Sequence, residues 1–450
     1  MSSASEAKPI MFSSSKHVYG ASSTFNIKSA SLKDSTAQET FEMSNVWETP
    51  DSAIPPEMSQ LPTKPKKSKQ HKTGSKSCFQ FSSRQKELDI TWQLGHFDPD
   101  YLYPASAYRR KVPLIVEDLR NVIKYVYPTA EICLTGSYVA GLDLPESDLD
   151  VSLHFPSEVL PWKHLNLIQH AYEKLQPRFR WISCPFERLQ MCPGRIPLLR
   201  MIHKRFNVSL DISISNCAAE RNTQLLLWYS QIDPRFVILC RAVKAWAKEA
   251  GVQNTKRRRL NSLSVCYMLV HYLQAGVSPP VLPNLQAEFP QKMTGEIRIN
   301  TQHYHDFNPL PDLMAKLNLD NNSNHPIKSC FVPGANKDSL GKLYLGFMKY
   351  YATFDFNEKW ISVKHGRALP KEWSEDGTPL NGLPEFNSFI VVEDPFLRVP
   401  RNCAGTVSTE KTMKQIQSAF KRACYRITKK DTIQHYDIFM SCPPGDHKTF

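Results

Sequence analysis

The chain has 450 residues, of which 41% are hydrophobic and 22% charged, and it carries a net charge of +13. This supports a buried core spread over roughly two to four domains, and it excludes collagen, a coiled-coil rod and wholesale disorder. No apolar run approaches the ~20 residues that span a bilayer, and residues 1–12 lack the apolar stretch of a secretory signal.

Residues 1–87 are rich in Ser, Thr, Lys and Pro and lack apolar periodicity, which predicts a disordered extension with order beginning near Leu88. Residues 1–57 are acidic overall. Residues 58–86 hold seven Lys and one Arg with no acid, and residues 87–450 are again basic, which points to a polyanionic partner. Residues 114–126 space apolar groups as one helix face. Two strands come next, each with strict alternation. Over 148–155, Asp148, Asp150, Ser152 and His154 share one face, and Leu149, Val151, Leu153 and Phe155 the other. Over 208–215, Val208, Leu210, Ile212 and Ile214 are buried and Ser209, Asp211, Ser213 and Ser215 polar. Helical periodicity then dominates, at 223–230, 235–250, 261–275 and 339–352, with Pro- and Asn-rich loops over 276–338. The 11 cysteines include no Cys-x-x-Cys and read as reduced thiols of an intracellular protein. His303, His305, His325 and Cys330 match no zinc spacing and read as surface loop residues.

The chemistry concentrates around the first strand. Period two places Asp148 and Asp150 on one face, and pairing with the second strand adds Asp211. Like charges so close raise one another's pKa, and hard divalent cations relieve that cost. Three carboxylates with two metals suit in-line nucleotidyl transfer. Gly136 permits close backbone approach, Ser137 adds a hydroxyl, and the N–H groups of the adjoining turn suit phosphate oxygens.

The stretch Thr135-Gly-Ser-Tyr-Val-Ala-Gly-Leu-Asp-Leu-Pro-Glu-Ser-Asp-Leu-Asp150 resembles the signature of DNA-polymerase-β-like nucleotidyltransferases. In detail it is similar to the template-independent RNA branch, the cytoplasmic poly(A) polymerases and terminal uridylyltransferases. Further blocks agree in order: residues 210–216, 241–248, 280–286, 340–352 and 392–396. The resemblance covers roughly residues 90–425. It implies an α/β (α+β) fold: a nucleotidyltransferase palm with a mixed β-sheet over 128–222, and a mostly helical, poly(A)-polymerase-associated central domain from 88–127 and 223–450.

The resemblance implies that Asp148, Asp150 and Asp211 are catalytic and hold Mg²⁺, with Mn²⁺ as a substitute. It implies that Lys244 and Lys248, four apart on one helix face, neutralise the β- and γ-phosphates. It also assigns the nucleotide to Gly136, Ser137, Asn216 and Ser262, and ribose to Asn222 and Thr223, which otherwise read as the start and cap of a helix. Two departures stand out. The family's base-stacking Tyr is replaced by Leu263, with Tyr267 one turn on as a substitute. The uracil-reading His is replaced by Arg401, a pure donor suited to uracil O4. The expected reaction is untemplated addition of ribonucleotides, with UMP favoured over AMP, to an RNA 3′ end. Its partners are an RNA 3′ end, a ribonucleoside triphosphate and an RNA-binding protein for targeting, with no membrane. The expected compartment is the cytoplasm, with the nucleus as the alternative. The alternatives are a cytoplasmic-type poly(A) polymerase, a transferase acting on small molecules, and an RNA-binding scaffold on a dead polymerase fold. Lys256 to Arg259 form a candidate RNA contact.

Overall fold

The computed structural model describes residues 75–95, 106–145, 147–155, 164–194, 196–290, 331–372, 388–396 and 401–429, with 293, 311–313, 433 and 438. Residues 1–74 and the His303, His305, His325, Cys330 group lie outside the described residues. Helix α1 (Ser75–Gly95) is followed by α2 (Ser106–Val126), strand β1 (Glu131–Thr135), the single turn α3 (Gly136–Val139) and β2 (Leu149–His154). Then come α4 (His164–Phe179), β3 (Phe186–Cys192), β4 (Leu198–His203) and β5 (Val208–Ile214). The remaining elements are α5 (Cys217–Ile232), α6 (Pro234–Glu249), α7 (Ser262–Ala275), α8 (Leu285–Glu288), α9 (Leu340–Thr353), the hairpin β6 (Lys359–Ser362) and β7 (Arg367–Pro370), and α10 (Glu410–Lys429).

The five palm strands run in the order β1-β2-β5-β4-β3, and β2 and β5 are the parallel pair. One face of the sheet packs on α2 and α4. Leu149, Val151, Leu153, Leu210 and Ile212 meet Val112, Ile115, Leu119, Val122 and Ile123 of α2 in one core. The sequence reading assigned α2 to the helical domain. Its apolar positions, spaced three, seven, ten and eleven apart, form a stripe buried in the palm core with the sheet and α4. A second, larger core joins α1 and α5 through α10, and takes Ala140 and Leu142 from the loop after α3.

The helix starts carry their caps in the sequence. The side chains of Asn216, Asp233, Asn261 and Ser339 accept from the first turns of α5, α6, α7 and α9. Residues 75–87, expected to be part of the disordered extension, form the first part of α1 instead. Tertiary contact explains the difference. Ile90 and Leu94 are buried, and α1 crosses α9 so tightly at Gly341 that a Cβ there would lie 2.1 Å from the Glu87 carbonyl oxygen.

Candidate active site

Asp150 and Asp211 are register partners on the parallel strands β2 and β5, so their carboxylates project from the same side of the sheet. Asp148 stands one residue before β2, with its side chain 47% exposed, against 12% for Asp211. Burial, then Asp211 and Asp148, push the Asp150 carboxyl up to about 7. Asp148 is also raised, by burial and by Asp211.

Arg200 on β4 pairs in register with Asp211 from the other side. Its Nε and Nη2 donate to Asp211 Oδ1 and Oδ2 at 2.7 and 2.6 Å, and Nη2 lies 3.8 Å from Asp148 Oδ2. The fork holds Asp211 in one orientation, and the bond raises the guanidinium's own proton affinity. The sequence reading missed Arg200. Its signal is faint: one charged residue between the buried Leu199 and Met201.

Gly136 opens α3 with φ +76°, and a Cβ there would lie 2.0 Å from Asp150 Oδ2. Glycine is therefore required twice, for the left-handed backbone and for the carboxylate beside it. The Gly136 N–H donates to Thr223 Oγ1 at 2.8 Å, and that hydroxyl donates to the Ala219 carbonyl at 2.7 Å. Ser137 is next, half-buried, in the same turn.

Helix α6 brings Lys244 and Lys248 to this side, where Lys244 offsets the charge of Asp150 and Lys248 that of Asp148. The two are unlike. Lys248 is exposed, whereas Lys244 is buried and donates to the Leu142 carbonyl at 2.6 Å. The next residue, Asp143, is fully buried and lies 2.9 Å from Arg109 of α2 and 3.5 Å from Arg241 of α6. This loop docks α6 on the palm and fixes where Lys244 sits.

Asn216 caps α5 and donates through Nδ2 to Ser213 Oγ at 3.3 Å. Asn222 and Thr223 therefore lie inside α5, correcting the reading that they begin it. Asn222 is buried between two partners: Tyr267 donates to its Oδ1 at 2.7 Å, and its Nδ2 donates to Asp394 Oδ2 at 3.2 Å. Tyr267 is wholly buried, so it does not substitute for the absent base-stacking Tyr. Its spacing keeps it on the Leu263 side of α7, but packing carries its ring into the core and its hydroxyl to Asn222, while Leu263 is half-buried at the edge of the same core. Ser262 opens α7. Arg401 accepts at its carbonyl from the Asp394 N–H at 2.8 Å, and its charge reaches the Asp394 carboxylate. Asn402 holds this corner: its Oδ1 accepts from the Val392 and Ala404 N–H groups at 3.0 and 2.8 Å, and its Nδ2 donates to the Ile390 carbonyl at 2.9 Å.

Among the described residues no three His, Cys, Asp or Glu side chains are gathered into a ready metal cage. At this site Arg200 takes both oxygens of Asp211. The donor set nonetheless fits a hard cation. It is all carboxylate oxygen, and burial beside two like charges leaves Asp150 short of positive charge.

Residues 93–231 match the family of the mitochondrial-like poly(A) RNA polymerase central palm domain, and residues 339–399 the Cid1 family poly A polymerase domain. Poly(A) RNA polymerase gld-2 homolog A of Drosophila melanogaster is 31% identical over 67% of this chain and 20% of its own length. Poly(A) RNA polymerase GLD2 of Homo sapiens is 27% identical over 71% and 61%. The chain thus spans less than two thirds of these curated relatives. Among solved structures, a cytoplasmic RNA terminal U-transferase superposes with TM-score 0.60 at 22% identity, over 80% of this chain and 99% of that one. GLD-2 solved in complex with RNP-8 gives 0.57 at 21%, over 78% and 96%. Residues 93–231 and 339–399 thus carry, in this order, the palm and Cid1-type domains of the poly(A) RNA polymerase families, on a fold shared with the solved structures.

Proposed function

We propose that this protein adds ribonucleotides to RNA 3′ ends without a template. The observation that carries the reading is the in-register pair Asp150 and Asp211 with Asp148 beside them, faced by Lys244 and Lys248. The RNA 3′ hydroxyl releases its proton to solvent as its oxygen bonds to the α-phosphorus of the triphosphate, the bond to the bridging oxygen breaks, and pyrophosphate leaves. Asp148, Asp150 and Asp211 would hold Mg²⁺ or Mn²⁺, which supplies Lewis-acid stabilisation of the phosphoryl oxygens. Lys244 and Lys248 neutralise the triphosphate, with Ser137, Ser262 and the turn after Gly136 as hydrogen-bond donors. Arg200 orients Asp211. Asn216 sets the start of α5, and Asn222 and Thr223 read the ribose hydroxyls while anchoring Asp394 and Gly136.

For the base we carry UTP. Arg401 donates and cannot accept, so it satisfies uracil O4 and leaves the adenine amino group without a partner. The names of the curated relatives favour the second reading, addition of AMP. An RNA-binding protein would supply transcript choice, as the GLD-2 and RNP-8 complex suggests by analogy, and the compartment proposed is the cytoplasm, with the nucleus as the alternative. The test is extension of a labelled oligo-RNA with each of four ribonucleotides in Mg²⁺. Extension that requires Asp150 supports the reading; no extension, or extension undiminished in Asp150→Ala, rejects it.

A further inference from the structure

The basic run at 256–259 is anchored to α10 at one end: Arg259 is half-buried and bonds to that helix, while Lys256, Arg257 and Arg258 are exposed. A 3₁₀ turn over Thr255–Arg257, capped by Asn254, presents it, and Arg258 comes next with φ +56°. Arg259 donates from Nη2 to Gln415 of α10 at 2.8 Å, Thr406 Oγ1 donates to the Arg259 carbonyl at 2.6 Å, and Arg258 reaches Ser408 Oγ at 3.5 Å. Helix α10 buries Met413, Ile416, Ala419, Phe420, Ala423 and Ile427. That leaves its six basic residues, against one acid, on the remaining surface. Gln415 and Arg422 are seven apart and share an edge of the helix, so Arg422 flanks the same docked loop. Burial, Arg257 and Arg422 together depress the proton affinity of Arg259, which marks a concentrated positive potential. Among the described residues no carboxylate lies within ion-pair distance of Arg257, Arg258, Arg259 or Arg422.

The patch lies close to Ser262, which the proposed function assigns to the triphosphate. The loop that carries it joins the end of α6, which bears Lys248, to Ser262 at the start of α7. Three residues of chain reach at most about 11 Å, so the Arg259 and Ser262 Cα atoms are no farther apart than that.

We infer that Lys256, Arg257, Arg258 and Arg422 form a binding site for the phosphate backbone of the RNA upstream of its 3′ end. The inference rests on the RNA-tailing reading. A single strand offers one charge per nucleotide, and a cluster of exposed cations gains affinity by displacing its counterions. The site does not read sequence, since guanidinium contacts to phosphate carry no base information. It lengthens the footprint of the enzyme on RNA beyond the few nucleotides at the cleft.

The test is fluorescence anisotropy of labelled 6-mer and 30-mer RNA without nucleotide, over 50–200 mM KCl, on the full chain. The neutral variant Lys256→Gln, Arg257→Gln, Arg258→Gln, Arg422→Gln should lower the slope of log affinity against log salt by roughly 3, at ~0.7 per contact. The wild type would then lose roughly 50-fold more affinity for the 30-mer across that salt range than the variant does. A companion variant, Arg257→Lys, Arg258→Lys, Arg422→Lys, keeps the charge and should keep both slope and length dependence, and thermal melts check that both variants fold. An unchanged slope and an unchanged advantage of the 30-mer in the neutral variant overturn the site. Polyglutamate binding as tightly as the 30-mer, and lost in the same variant, overturns RNA as the occupant in favour of an acidic protein segment. Because no nucleotide is present, a protein that binds RNA through this patch but adds nothing to it sinks the proposed function and leaves this inference standing.

Discussion

Asp150→Asn should abolish tailing and yet make the metal-free protein more stable. The carboxyl is pushed up to about 7 from the ordinary 3.8, chiefly by burial and then by Asp211 and Asp148. Its folded-state proton affinity is raised, so its contribution to stability is fully present below the unfolded value near 4. It is lost as pH rises through about 7. By pH 8 the ionised group disfavours the folded state by about 4 kcal/mol. The amide has its own desolvation cost of about 1–2 kcal/mol, so the net gain expected is about 2–3 kcal/mol. The assay is thermal melting of both proteins in EDTA from pH 4 to 8. The variant should be about 1–2 kcal/mol less stable than the wild type near pH 4, where the carboxyl is protonated, and melt a few degrees higher at pH 8. Saturating Mg²⁺ at pH 8 should stabilise the wild type and narrow the gap. A variant less stable than the wild type at pH 8, or a gap that does not change with pH, would refute the electrostatic account of the site.

Gly136→Ala should lower tailing at least a hundredfold. The Cβ meets Asp150 Oδ2 at 2.0 Å and the residue must hold φ +76°, which costs about 1–2 kcal/mol in backbone energy alone; wild-type activity would refute the close approach. Arg200→Gln should destabilise the metal-free protein by about 1–3 kcal/mol at neutral pH, a loss that melts in EDTA and in Mg²⁺ will compare, because the carboxylates lose their one bidentate partner. Thr223→Val leaves the Gly136 N–H unpaired and should slow tailing with either sugar, while the preference for ribo- over deoxyribonucleotide shrinks; an unchanged ratio makes Thr223 an anchor only. With ATP and UTP competing, the wild type should add mainly U, and Arg401→Ala should lower the U:A ratio about ten- to a hundredfold; predominant A-addition unaffected by that change selects the adenylyl reading.

Alternation alone placed Asp148, Asp150 and Asp211 on polar strand faces, because a period of two leaves no other side for them once Leu149, Val151, Leu210 and Ile212 are buried. Helical periodicity likewise located α6, α7 and α9 to within a residue or two, and the Asn, Asp and Ser caps were already written at their starts. The remaining features depend on partners distant in the chain, which no local pattern encodes. Residues 75–87 are polar enough to read as disordered, yet Ile90 and Leu94 lock the helix they begin against α9. The stripe of α2 declares that it is buried but not by what, and the palm core of sheet and α4, rather than the larger helical core, covers it. Arg200 acquires meaning only when β4 pairs with β5 and puts a guanidinium opposite Asp211. Tyr267 has the spacing of a surface neighbour of Leu263, but the packing of α7 turns it inward to Asn222. Period and capping are short-range properties of the backbone and are legible along the chain; strand pairing and helix docking are decided by burial between segments far apart, and only the tertiary structure states them.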